Sequence, residues 1–371
     1  MMPRQQKANA SLHCWIIGLL ENLRSSIHQS IYPFIQFLSA SLVLFVIPLS
    51  AQTNNTPSHT IEGGFKNPDP AFKEIPFTRY VPWFIEKFTA PFSTATAETP
   101  HVSNDGSLIA QNKPYTVTWV GQSTVLIQCE GKNILTDPVW SGRLGPVSWA
   151  GAPRAVDPGI AFDKLPPIDL VIISHNHYDH FDKETLMKLA QNKATRFIVP
   201  LRLRDKLEDI GISNVQELDW WEGTTYKGIK IICTPAQHSS GRWLTDRDET
   251  LWASFVLWGK EKRLYFCGDS GYFTGFEEIG SRFGPFDLTI LPIGGYEPAE
   301  LMHQIYMTPE EAIKANSDLK GKIMLAVHWG TFKLTDEPID EPPKRFRDEM
   351  KRKNLSPENY WLMMIGETLE W

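Results

Sequence analysis

Six residues restrict this chain more than any other feature: His175-Asn176-His177-Tyr178-Asp179-His180. Packing gives no reason for three imidazoles and a carboxylate at that density. The segment follows Leu170–Ser174, an apolar run that reads as a strand. Alternate strand residues face one side, so His175 and His177 converge on one point as the strand ends. Asp179 and His180 can reach a second point as the chain turns toward a helix. Imidazole nitrogen and carboxylate oxygen are the ligands that zinc and similar divalent ions take. Three more candidates follow strand-like runs: His238 past Ile229–Thr234, Asp269 after Leu264–Cys267, and His328 after Ile323–Val327. Loops at strand ends are where polar chemistry is mounted on a rigid sheet.

The rest of the pattern supplies such a frame. From Tyr115 onward, β-branched runs bounded by turn residues predict further strands at Thr116–Val120, Thr124–Cys129, Asn133–Thr136, Phe197–Pro200, Ala253–Leu257 and Leu288–Pro292. Glu130-Gly131-Lys132-Asn133 reads as a hairpin turn. Helices are predicted at Lys183–Ala190, Leu201–Asp209, Pro309–Asn316 and Pro343–Arg352, with Asp182 and Thr308 as N-caps. Strands alternating with helices after a hairpin-like start predict an α/β fold, with two sheets or one mixed sheet and helices packed outside.

Composition matters here for what it excludes. The chain has 371 residues and a formal net charge of -6, which argues against broad electrostatic binding to nucleic acid. Its 4 cysteines are too few for a disulfide scaffold. Arg4, Lys7 and Arg24 precede an apolar run from Ile31 to Pro48, the layout of a secretory signal. Residues 1–51 are therefore expected to be a signal peptide cleaved after Ala51, with a retained signal anchor as runner-up. The mature chain would be exported, periplasmic or membrane-associated, and would carry -8 and eight of the 10 histidines. Cys129 and Cys233 read as buried core thiols. Residues 52–114 read as a linker followed by an aromatic-rich segment that includes Phe72, Phe77, Tyr80, Trp83, Phe84, Phe88 and Phe92. That segment is expected to wrap the main domain, 115–371, or else to offer lipid an apolar entrance around Trp83-Phe84.

With these residues in view, the sequence resembles the metallo-β-lactamase superfamily, whose signature is H-x-H-x-D-H with a later His, Asp and His. Within it the chain is similar to the N-acylphosphatidylethanolamine-hydrolysing phospholipase D group. The similarity rests on T-W-V-G-Q-S-T-V-L-I (118–127), L-T-D-P-V-W-S (135–141), S-H-N-H-Y-D-H (174–180), P-A-Q-H (235–238), F-C-G-D-S-G-Y (266–272), P-I-G-G-Y-E-P (292–298), P-E-E-A (309–312) and H-W-G-T-F (328–332). It implies an αββα sandwich of two mixed sheets with helices on the outer faces and a two-zinc site between the sheets. His175, His177 and His238 would hold one zinc; Asp179, His180 and His328 would hold the other, with Asp269 bridging. Asp179, Asp269 and His328 would be the catalytic subset, acting on a small-molecule or phospholipid substrate. The implied reaction is phosphodiester hydrolysis of an N-acyl phosphatidylethanolamine-type lipid by metal-activated water. The chain departs from the group where Gly121-Gln122-Ser123-Thr124 replaces Gly-His-Ala-Thr, and where Tyr306 stands in place of a His before P-E-E-A. Tyr306 and His303 are the candidate proton donors to the leaving group, although ordinary core or surface roles suit both. Alternatives are hydrolysis of a lactone, thioester or cyclic phosphodiester on the same site, and a non-catalytic envelope binding protein.

Overall fold

The computed structural model describes residues 59–89, 99–146, 151–243 and 245–371. The expected signal or anchor segment, with Cys14, His13 and His28, lies outside the described residues, as does Phe92.

The fold begins with a meander: β1 (Thr116–Gly121), β2 (Thr124–Cys129) and β3 (Lys132–Thr136) run antiparallel. Glu130 and Gly131 turn between the last two with φ of 51° and 71°, as a tight hairpin with a matching twist requires. β4 (Leu170–Ile172), β5 (Arg196–Pro200) and β6 (Val215–Leu218) add in parallel, and β14 (Thr368–Glu370) closes the other edge against β1. The first sheet therefore has the order β6-β5-β4-β3-β2-β1-β14. The second contains β7 (Gly223–Tyr226), β8 (Ile229–Thr234), β9 (Ser254–Trp258), β10 (Arg263–Phe266), β11 (Phe286–Pro292), β12 (Gly321–Val327) and β13 (Tyr360–Trp361), in that order. It is antiparallel through β10 and parallel beyond. Both sheets are mixed.

Six helices matter to the architecture: α1 (Phe77–Thr89), α2 (Lys183–Leu189), α3 (Leu203–Glu208), α4 (Gly275–Phe283), α5 (Pro309–Asp318) and α6 (Glu341–Arg352). Strand alternation shows where they sit. In the first sheet Val117, Trp119, Val125, Ile127, Ile134, Leu170 and Ile172 join one apolar cluster with strands of the second sheet. Their alternates Leu126, Leu135, Val171, Phe197 and Val199 pack with Leu186, Leu189, Leu203 and Leu207 of α2 and α3. One face of that sheet thus meets the other sheet and the opposite face meets helices, the arrangement of an αββα sandwich.

All ten expected strands and all four expected helices are present; Thr124–Cys129 and Ile229–Thr234 keep their expected bounds and the others shift at one or both ends. β4 stops at Ile172 rather than Ser174, because Ser174 is already engaged by a buried carboxylate described below. Thr308 caps α5 with a reciprocal bond to Glu311, and Pro309 begins the helix. Asp182 precedes α2 without capping it; its carboxylate instead accepts bonds from Trp140 N, Ser141 N and Thr185 Oγ1. Cys129, Cys233 and Cys267 are buried and free. No helix among the described residues is long and apolar enough to cross a membrane.

The aromatic segment without a clean period holds α1, which continues through Pro82. Tyr80 is buried against Leu301 and Met302, and its hydroxyl donates to the Leu301 carbonyl at 3.2 Å. Trp83 Nε1 donates to Asp336 at 3.2 Å. The side chains of Phe84 and Phe88 lie outside what the structure describes.

Candidate metal centre

The seven expected residues come together at the strand ends where the loops of both sheets meet. They form two groups whose donor atoms lie within 4.8 Å of one another: His175, His177 and His238, then Asp179, His180, Asp269 and His328. His175 Nε2 and His238 Nε2 approach His177 Nδ1 at 2.9 and 3.2 Å. Asp179 Oδ2 lies 3.1 Å from both His180 Nε2 and His328 Nε2. Asp269 Oδ2 sits between the groups, 3.1 and 3.2 Å from His180 and His328, and 3.7 and 4.0 Å from His238 and His175.

Outer hydrogen bonds decide which nitrogen faces inward. The Ser174 hydroxyl gives its one proton to Asp137 Oδ2 at 2.6 Å, so it accepts from His175 Nδ1 at 2.9 Å. His238 Nδ1 donates to the Ile305 carbonyl at 2.8 Å, and His180 Nδ1 donates to Asp137 Oδ2 at 2.6 Å. These bonds hold a proton on the outer nitrogen of each ring, so that in the neutral ring the inward nitrogen presents its lone pair to a cation. Asn67, which precedes α1, bonds both backbone groups of His238 at 2.8 Å.

These residues fit a divalent ion. Imidazole nitrogens of the first group point lone pairs at one another, and both oxygens of buried Asp269 make no hydrogen bond. His180 Nε2 is likewise without a hydrogen bond, although carboxylate oxygens lie near it. Buried polar atoms rarely stay unpaired, and a cation would satisfy all of these at once.

Charge divides the groups. Burial lowers His177 to about 3 and His238 to about 4, and drives His175 well below its usual range, so all three stay neutral. Burial also opposes charge on His328, but the carboxylates of Asp269 and Asp179 outweigh it, raising His328 to about 10. His180 is raised in the same way by Asp179, Asp269 and Asp137. Burial disfavours the charge on Asp179 and Asp269 too; His180 and His328 nevertheless hold both carboxyls well below the ordinary range. Without an ion, protons neutralise the second group.

Of the two candidate proton donors, His303 faces away and bonds Glu311 at 2.9 Å. Tyr306 stands over the centre, its ring centroid 5.0 Å from that of His238 and 5.7 Å from that of His328. Gly295 leaves room for it, since a Cβ there would lie 2.6 Å from the Tyr306 ring. Burial and the carboxylates of Asp269 and Asp179 push the phenol well above its usual value, so it remains a donor. His59 bonds Asp219, and His101 sits in an isolated bridge with Ile365, so neither belongs to the centre.

The sequence alone assigns no role at the centre to Asp137, Gln122, Ser174 or Asn67. Asp137 lay in the quoted L-T-D-P text and Gln122 at a departure from the group pattern, which were the available signals; Asn67 offered none.

Fold and centre together define a metal-dependent hydrolase on a metallo-β-lactamase sandwich. Residues 132–329 match the family model described as "Beta-lactamase superfamily domain", and the chain belongs to that superfamily. It is 38% identical over 312 residues to an uncharacterized protein of Mycobacterium tuberculosis, covering 80% of each chain. It is 34% identical over 295 residues to N-acyl-phosphatidylethanolamine-hydrolyzing phospholipase D 1 of Caenorhabditis elegans, covering 76% of this chain and 80% of that one. Among solved structures, a possible metal-dependent hydrolase from Veillonella parvula superposes with a TM-score of 0.58 at 18% identity. The match covers 70% of this chain and 100% of that one, and shows the fold.

Proposed function

We propose that this hydrolase cleaves a phosphodiester, with an N-acyl phosphatidylethanolamine-type phospholipid as substrate and phosphatidic acid and an N-acylethanolamine as products. The observation that carries the reading is the position of Asp269 Oδ2 between two donor groups. That geometry suits two zinc ions, one held by His175, His177 and His238 and one by Asp179, His180 and His328, with Asp269 shared. Ions held there would lower the pKa of a bound water to about 7 and offset the charge of a phosphodiester. Asp179 and Asp269 would accept hydrogen bonds from the attacking water and fix its direction toward phosphorus. The Tyr306 hydroxyl would donate to the departing alkoxide or a phosphoryl oxygen. The phospholipase D relative from Caenorhabditis elegans supports the lipid substrate, because similarity extends over most of both chains. Residues 115–371 would form the catalytic domain and the segment from Asn67 its wrap. Export of the mature chain belongs to the same proposal, since it would bring the enzyme to envelope lipid.

The test is a substrate panel of N-acyl phosphatidylethanolamine, a cyclic phosphodiester, a lactone and a thioester, each with and without chelator, with products read by mass spectrometry. Phosphatidic acid released only by the metal-loaded protein, and lost in Asp269→Asn, is the expected result. Turnover of the lactone or thioester alone would overturn the substrate; full activity in Asp269→Asn would overturn the site.

A further inference from the structure

Gln122 turns the corner between β1 and β2 with φ of 51° and is 1% exposed. Its side-chain amide donates to Asp179 Oδ2 at 2.8 Å. The same oxygen lies 3.1 Å from the inward nitrogens of His180 and His328. Its backbone reaches the same group. The Gln122 carbonyl accepts from His328 N at 3.1 Å and from Trp119 Nε1 at 3.0 Å, while Gln122 N donates to Thr331 Oγ1 at 2.7 Å. One residue is thus wired to two members of the second donor group, by side chain to Asp179 and by backbone to His328.

A carboxylate beside a cation has more than one orientation open to it. A fixed donor on one oxygen removes that freedom and aims the remaining lone pairs. An amide does this without charge, so it orients Asp179 without competing with a cation for its negative charge. Burial keeps water from replacing the bond. The left-handed backbone places the amide there, and the three backbone hydrogen bonds hold the turn in a conformation costing about 1–3 kcal/mol for a non-glycine residue.

We propose that Gln122 is a positioning residue that fixes the Asp179 carboxylate for a divalent cation and thereby sets the affinity of the second half of the centre. The proposal rests on the two-ion reading above. Gln122→Leu keeps much of the volume and removes the donor. Gln122→Asn retains an amide but is shorter by about 1.5 Å, which takes the donor out of hydrogen-bond range. Gln122→His restores a donor of similar reach.

The full-length protein, stripped with chelator, is titrated with Zn2+ against a competing chromophoric chelator, then with Co2+ to follow visible absorption. The wild type is expected to take two equivalents. In Gln122→Leu and Gln122→Asn the second equivalent should weaken by about 10- to 100-fold with an altered Co2+ band, while the first is unchanged. Gln122→His should recover most of the loss. Coincident isotherms for all four proteins would overturn the proposal. So would equal weakening of both equivalents together with a lower Tm of the metal-free protein, the signature of general loosening. A wild type that binds one equivalent overturns the two-ion reading, and Gln122 is then judged by whether that equivalent weakens in the Leu and Asn variants. A wild type that binds none overturns both.

Discussion

Asp137→Asn is a small change with a large expected effect, because it acts through a tautomer. Asp137 is fully buried and accepts three hydrogen bonds: from Ser174 N at 2.7 Å, Ser174 Oγ at 2.6 Å and His180 Nδ1 at 2.6 Å. Burial raises this carboxyl, and the bonds from His180 and Ser174 oppose that rise. An asparagine must choose. With its oxygen toward Ser174 N, the amide NH2 faces His180 Nδ1 and becomes the donor there. The ring then carries its proton on Nε2, the nitrogen aimed at Asp179 and Asp269, and ceases to be a ligand. With the amide reversed, two donors face each other at Ser174 N, costing about 1–3 kcal/mol. Changes to a ligand's outer partner typically weaken metal binding by about 10- to 100-fold, or about 1.4–2.8 kcal/mol. Zinc titration of the stripped protein checks this, with Tm of the metal-free form measured alongside. The expected result is a weakened second equivalent with a modest change in Tm, since a buried carboxylate has been removed. Wild-type affinity for both equivalents would refute the tautomer argument.

Two more outcomes follow from the same geometry. Without metal, His328 is raised to about 10 while His177 and His238 fall to about 3 and 4, so at pH 7.5 only the second group carries protons for an ion to displace. Calorimetry in buffers of different ionisation enthalpy should show proton release with the second equivalent but not the first. Its affinity should therefore rise with pH toward about 10; release with neither equivalent would contradict the charge division. Tyr306→Phe should lower kcat on a diester with a poor alkoxide leaving group by at least about 100-fold with metal content unchanged, and an unaltered kcat would remove Tyr306 from the reaction.

What the sequence made legible was local. Three histidines and an aspartate within six residues disclose their purpose because ligand density itself is the signal. The β-branched runs and the Thr308-Pro309 helix start likewise carry their structure in neighbouring residues. What stayed hidden depends on contacts across the chain: Asp137 meets His180 at a separation of 43 residues, Gln122 meets Asp179 at 57, and Asn67 meets His238 at 171. α1 escaped because Pro82 stands inside it, where a proline removes a helical hydrogen bond. β13, two residues long, and β14, three, lack the length for alternation to show.

Backbone strain was hidden too, and its distribution separates the halves of the centre. Gln122, Asp137 and His328 all hold left-handed conformations, with φ of 51°, 34° and 60°. Each belongs to the second donor group, as a ligand candidate or as the direct partner of one. His175, His177 and His238 keep negative φ, as do their partners Ser174, Ile305 and Asn67. Such conformations cost about 1–3 kcal/mol each and persist where surrounding contacts over-determine them. Here those contacts are the hydrogen bonds that orient Asp179 and His180, so strain and ligand positioning come from the same atoms. The first group is neutral and rests on relaxed backbone. The second concentrates charge and strain, and it is the half where a bound cation takes the place of the protons that His180 and His328 hold against the two carboxylates.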